Sequence, residues 1–330
     1  MRADQRGFSL IELMISALVG LMLLAAVGNL VVNSSATHRE LAAMSRQAEN
    51  GRFAMQLLND EIHHAGFYGE MFDLAATPAG LPDPCLTIPA ALRASLPLPI
   101  QGYNASAASP IACLSSLDHV DGTDILVLRR ASTAVTPMNQ LTANAVYVQT
   151  TSNTFTVASG PEADPANPAI FTLTKKGGGT NWADVRQYRV DIYYVSPCQT
   201  PTVTTCDASA DGGNPIPTLK RLVLTGDPNL QAEPLVVGIE NLQIEYGVDA
   251  TGDGVPDNYV AAPADTTAWS NVVSVQLYML ARTVEPIAGY TDTKTYNLGA
   301  AGAVTPGGTG IKRHLFSTVA RAINPATRRE

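Results

Sequence analysis

Residues 7–32 read GFSLIELMISALVGLMLLAAVGNLVV and follow a short leader, MRADQR, with a single charge, Glu12, in the apolar run. From Phe8 to Val32 the run is long enough to cross a bilayer as a helix, which takes about 20 residues. In a secretory signal the apolar region lies ahead of the cleavage site and is discarded. Here the processing point follows Gly7, ahead of the run, so the apolar segment stays on the mature chain. A glycine before the cut leaves the scissile backbone uncrowded. Glu12 calls for a partner, because a carboxylate at the centre of a bilayer costs roughly 2.5–3.5 kcal/mol, and less near the interface. Cleavage would supply one, since the new amine of Phe8 is a cation one helical turn from Glu12, on the same chain or on an adjacent copy. The competing reading is a signal anchor with a tolerated Glu near the interface.

Arg6, Gly7, Phe8, Ser9, Leu10, Ile11 and Glu12 together resemble the prepilin peptidase site of type IV pilins and type II secretion pseudopilins. The resemblance implies that Gly7 precedes the cut, that Phe8 becomes the N-methylated first residue, and that Glu12 is the acidic residue at the fifth mature position, serving assembly. The run departs from many major pilins in having no proline through Val32; Gly28 and Asn29, weak helix formers, stand in its place.

Beyond the anchor, residues 33–66 continue as an amphipathic helix. Leu41, Met44, Ala48, Gly51, Met55, Leu58, Ile62 and Ala65 recur at spacings of three and four, with Arg39, Glu40, Arg46, Glu49, Asn50, Asn59, Asp60 and Glu61 elsewhere. A lone amphipathic helix is marginal in water, so the stripe is expected to pack on a sheet built from later sequence, with Gly66 as the stop. The small Ala48 and Gly51 suit close approach to that sheet better than a coiled-coil seam.

The rest, 67–330, reads as a β-rich globular domain. The 330 residues are 45% hydrophobic, enough for a core beyond the anchor. Net charge is −8, and −9 once the leader with Arg2, Arg6 and Asp4 is removed, which argues against nucleic acid as a partner. Residues 74–110, rich in Ala, Pro and Ser, read as a surface insertion. Strands are expected at 124–132, 144–149, 153–159, 169–174, 185–196, 218–225, 240–249, 272–283 and 314–323, arranged as an antiparallel meander. Leu242, Ile244, Tyr246 and Val248 alternate as on a half-buried strand. Tyr188, Tyr193, Tyr194 and Trp182 read as strand aromatics.

The stretch RQAENGRFAMQLLNDEIHHAGFYGE, at 46–70, is similar to the post-anchor helix of PilW-type minor pilins, and family-like features recur at 233–257, 269–282 and 312–324. The resemblance implies a non-catalytic subunit that primes or caps a filament alongside other minor pilins. With it come the expected partners: other minor pilins, the major pilin, the prepilin peptidase and the inner membrane. Before assembly the chain would be a single-pass protein of the inner membrane facing the periplasm; after it, part of a pilus at the cell surface.

Four cysteines without a CxxC pair suit disulfides in an oxidising compartment. Of three connectivities, Cys85 with Cys113 and Cys198 with Cys206 close the shortest loops. Asp249, Thr251, Asp253, Gly254, Val255 and Asp257 place oxygens at alternate positions with a glycine after the third, the spacing of a calcium loop, in which Val255 would offer its carbonyl. The acidic ligand expected three residues after Asp257 is Val260, so Asp265 or Glu245 would have to complete the shell. The same residues also suit a turn in which Gly252 and Gly254 take positive φ and the aspartates cap backbone groups. Asp60 and His64 sit four apart and could seed a metal site, but the adjacent His63 and His64 do not share a helix face, and the group reads as a solvated patch. No nucleophile elbow or phosphate-binding loop is found.

The sequence thus implies an α+β, pilin-like protein with a long N-terminal helix, packed on an antiparallel sheet and carrying a loop-rich head. No cofactor is required, and calcium is the one ion suggested. A minor pseudopilin of type II secretion is the alternative; a membrane-anchored adhesin or enzyme would need a binding or catalytic set that the sequence does not display.

Overall fold

The computed structural model describes residues 9–72, 77–86, 88–104, 111–115, 118–143, 145–160, 170–177, 179, 181–200, 206–224 and 231–329. Gly7 and Phe8 lie outside the described residues. One helix, α1, runs from Leu10 to His64 over 55 residues. It starts on a reciprocal cap: the Ser9 N–H donates to Glu12 Oε2 at 3.0 Å, and the Ile11 N–H donates to Ser9 Oγ at 3.4 Å. It ends at the turn through Gly66, whose φ of +72° is open to glycine at little cost.

The chain divides into two compact units, 1–46 and 47–330. The described part of the first is helix alone. From Leu10 to Val32 its large apolar side chains are exposed, Leu10 by 76% and Leu24 by 70%, and among the described residues this is the one helix long and apolar enough to cross a membrane.

The second unit is built on two antiparallel sheets. The first holds β1 (Ile100–Tyr103), β2 (Ile125–Ala131), β3 (Val146–Thr150), β4 (Phe155–Ser159), β5 (Val185–Ser196), β6 (Thr218–Leu224) and β7 (Gln231–Val237). Strand β5 organises it: Tyr188–Tyr193 pair with β2, Val185–Gln187 with β3 and Val190–Ser196 with β6. The second sheet contains β8 (Ile239–Val248), β9 (Asn258–Val260) and β10 (Val272–Arg282). A two-stranded ribbon, β11 (Tyr296–Asn297) with β12 (Ala303–Val304), precedes β13 (Arg313–Arg321). The order of the second sheet is β13-β10-β8-β9.

The core explains the stripe on α1. Ala54, Met55, Leu58, Ile62 and Ala65 form one buried cluster with Leu126, Leu128, Tyr193 and Leu219 of the first sheet and Leu242, Ile244, Tyr246, Leu277 and Met279 of the second. The other face of the first sheet is covered by Tyr68, Met71, the short helix Pro89–Ser95 and Ile111.

Several expectations are corrected. The meander divides into two sheets, because the helical stripe is covered from both. Of the expected strand at 169–174, the described residues 170–174 do not form one: among them Thr174 alone bridges, to Trp182, while Leu173 is held by the Gln149 side chain. The insertion at 74–110 contains a helix and β1, and β7 forms from 231–237, where Pro234 obscured the strand pattern. The stripe's first two members, Leu41 and Met44, are exposed.

Late residues close the end of α1. Asn324 Nδ2 donates to the carbonyls of His63 and Ala65 at 3.4 and 3.1 Å, and Arg328 Nη2 donates to that of Gly66 at 2.6 Å. These carbonyls have no partner within the helix, so the segment after β13 supplies the cap.

Candidate functional site

Glu12 lies at the first turn of α1, where its carboxylate holds the Ser9 N–H, while the Ser16 hydroxyl donates to the Glu12 carbonyl at 2.7 Å. The Ser-x-x-Glu spacing of Ser9 and Glu12 could have revealed this capping box from sequence. It orients the acidic group toward the start of the helix.

The QAENGRFA segment, residues 47–54, is the docking face of the second unit. Gln47 is buried and its Nε2 donates to the carbonyls of Ala281 and Lys312 at 2.7 and 2.9 Å, tying the helix to the adjacent ends of β10 and β13. Asn50 Nδ2 donates to the Val237 carbonyl at 3.1 Å, at the end of β7. Gly51 faces the Phe316 ring so closely that any Cβ there would run into it. The sequence pattern foresaw the small residues but not the two amides, which sit on the buried face because their polar groups complete strand ends.

Cys85 is bonded to Cys113 and Cys198 to Cys206, with Cα separations of 5.5 and 5.8 Å. Beneath the second bridge lies a charged cluster that the sequence did not single out. Lys220 and Asp118 are both fully buried, with Nζ 2.7 Å from Oδ1. Lys220 also donates to the Thr200 carbonyl at 2.8 Å, while Tyr194 Oη and Ser196 Oγ donate to the two oxygens of Asp118, each at 2.7 Å. Burial first, and the neighbouring Asp118 charge second, push the Tyr194 hydroxyl pKa far up, so it stays a donor. Asp118, Cys198 and Cys206 are close enough to suggest metal ligands, but the two sulfurs are spent in the disulfide. Every polar atom finds a partner, which makes this a structural pin rather than a reactive site.

The 249–257 loop takes the form of a backbone-capped turn. Asp249 Oδ1 accepts from the Gly252 N–H at 2.6 Å and its Oδ2 from that of Gly254 at 2.9 Å, while Arg329 Nε lies 2.9 Å from Oδ2. Asp257 Oδ2 accepts from the Ala250 and Thr251 N–H groups, and Asp253 Oδ1 from that of Val255. Burial pushes the Asp249 carboxyl up, but the Gly254 and Gly252 amides and Arg329 outweigh it and hold the group below its ordinary range. Asp249, Thr251, Asp253 and Asp257 turn their oxygens to N–H donors or to one another, and the cation beside Asp249 is a guanidinium.

Two family models match the chain. Residues 2–28 match that described as the prokaryotic N-terminal methylation motif, and residues 192–324 match that described as Type IV Pilus-assembly protein W. Among solved structures, a type IV-like pilin from Thermus thermophilus is similar at 12% identity, over 85% of this chain and 97% of that one, with a TM-score of 0.35. No curated protein matches the chain. At these two segments, then, the chain is similar to type IV pilus proteins, with the methylation-motif match leading into an apolar helix. The second match spans β5 from Ile192 onward, all four strands of the second sheet and Asn324 of the α1 cap, and stops short of Arg328.

Proposed function

We propose that this chain is a non-catalytic minor pilin that helps to initiate, or caps, a type IV pilus. The observation that carries the proposal is the joining of the two matched segments by one helix: the motif opens α1, and its docking face, Gln47 to Ala65, builds the core of the unit that contains the PilW domain. The first 23 or so helical residues present apolar side chains that suit a lipid bilayer before assembly and neighbouring helices after it. In this reading the peptidase cuts after Gly7, Phe8 is methylated, and Glu12 meets an amine at the start of its own or a neighbouring helix. Its partners are other minor pilins and the major pilin, and it faces the periplasm from the inner membrane before reaching the surface.

The test is deletion of the gene, with surface filaments counted by electron microscopy and the remaining minor pilins followed by co-purification. Loss of filaments that is restored by the wild-type gene supports the proposal. Normal filaments with lost protein secretion would transfer the chain to the type II pseudopilins.

A further inference from the structure

A cavity of about 240 Å³ opens where the second sheet meets the turn ahead of β2. Five separate segments wall it: Asn104 after β1, the 122–124 turn, the middle of β8, Ala261 after β9, and the connection from β11 into β12. It is smaller than the roughly 300–1,000 Å³ of a site for a drug-sized molecule, so it suits a ligand of a single ring.

The polar groups of the lining are fixed in place with bonding capacity left over. Asn241 and Gln243 are two apart on β8 and so share one face of the strand. Gln243 Nε2 donates to the Gly122 carbonyl at 2.6 Å and to Asn241 Oδ1 at 2.8 Å. These bonds hold both amides and leave an acceptor, Gln243 Oε1, beside a donor, Asn241 Nδ2, neither with a partner among the described residues. Gln243 is only 4% exposed, and a buried amide oxygen without a donor is costly until something supplies one. Glu245, next on the same face, is held from two sides: its Oε1 accepts from the Ala300 N–H at 2.7 Å and its Oε2 from the Tyr278 hydroxyl at 3.4 Å. Leu298, Ala301 and Val304 add an apolar wall.

We propose that this cavity binds a neutral, hydroxyl-rich ring: a monosaccharide, free or at the end of a glycan. A hydroxyl both donates and accepts, so neighbouring hydroxyls of one ring give a proton to Gln243 Oε1 and take one from Asn241 Nδ2, while the C–H face of the ring lies against the apolar wall. Other classes of ligand match fewer of these groups. No Arg, Lys or His lines the cavity and the carboxylate of Glu245 does, which disfavours phosphates and carboxylates. An ammonium group or a metal ion offers no acceptor to the Asn241 amide protons, and both Glu245 oxygens already hold donors.

The experiment uses the full-length protein in lauryldimethylamine oxide micelles, which carry no sugar, and reads binding by saturation-transfer NMR titration of D-glucose, D-galactose, D-mannose and N-acetyl-D-glucosamine, with choline as the cationic comparison. Saturable binding of at least one sugar is expected. Ala301→Trp, at an exposed position on the wall, should fill the space and abolish it. Asn241→Asp keeps the oxygen that Gln243 bonds and removes the donor, so it should weaken binding by about fivefold or more. Binding that persists with the methyl glycoside assigns the site to a glycan end, and binding lost with it assigns the site to free sugar; both uphold the proposal. No saturable signal from any of the four sugars, unchanged binding by either variant, or choline bound more tightly than every sugar would each overturn it. Filaments are not read, so failure here leaves the pilin reading standing.

Discussion

The two parts of α1 on either side of residue 46 are both rich in apolar side chains, but they use them against different surroundings. From Leu10 to Val32 the large side chains point outward and stay exposed, with no amphipathic period. From Gln47 to Ala65 every third or fourth residue is buried, and the amides of buried Gln47 and half-buried Asn50 complete the contact with the sheets. One helix can therefore be a stable part of a water-soluble core at one end and remain uncommitted at the other. The difference lies in whether the apolar residues form a stripe or a sleeve.

If that division holds, substitutions on the two sides should have effects of different kinds. The largest effect on stability is expected from Gly51→Leu, because the added side chain enters the space of the Phe316 ring; the sheet unit should lose about 3 kcal/mol. Chemical unfolding of the full-length protein in micelles, followed through buried Trp269, measures it. An unchanged midpoint would mean that the helix does not lie on β13.

Gln47→Ala comes next. It strips the carbonyls of Ala281 and Lys312 of their donor, and the expected loss is about 1–3 kcal/mol by the same measurement. Substitutions in the exposed part should leave that number alone. Leu18→Ser is expected to change unfolding of the sheet unit by no more than about 0.5 kcal/mol. Glu12→Val should likewise spare folding and leader cleavage, yet reduce incorporation into sheared filaments, since the amine at the helix start loses its carboxylate. Wild-type incorporation of Glu12→Val would remove the reason for a charge in this region.

The smallest effect concerns the far end of the docked part, where Arg329 joins the Asp249 loop to the segment that caps α1. The Asp249 pKa is depressed in the folded state, so its contribution is fully present above the unfolded value, about 3.9. It is lost as pH falls through the lower folded value. Asp249→Asn should lower stability near neutral pH and flatten the acid limb of a pH titration of the melting temperature. The same melts in millimolar calcium and in chelator are expected to coincide for the wild type. A calcium-dependent rise would mean that the ion displaces Arg329.

The sequence made the helix legible almost from end to end because its signals are local: a leader, an apolar run, a three-and-four stripe and a closing glycine. The strands with alternating β-branched residues were legible for the same reason, as with Leu242 to Val248. What could not be read depends on residues distant in the chain. Nothing near Gln47 in the chain points to the two strand ends, more than 230 residues later, that accept from it. Nor does anything in TLKRLVLT point to Asp118, 102 residues away, as the partner of Lys220. In the 249–257 loop the donors fit either of two readings, and Arg329, 80 residues on, favours the capped turn.

The cap on α1 also sets a timetable. Asn324 and Arg328 close carbonyls made 259 to 262 positions earlier. At a synthesis rate of about 5–20 residues per second, roughly ten to fifty seconds separate the emergence of the helix end from that of the residues that close it. Over the first part of that interval the docking stripe has no sheet to cover it; the first sheet arrives with β2, β5 and β6, and the cover from β8, β10 and β13 follows later. The nascent chain thus holds an incompletely covered apolar surface at residues 47–65 until its last strands are made, and a holding chaperone that recognises those residues would act on it there.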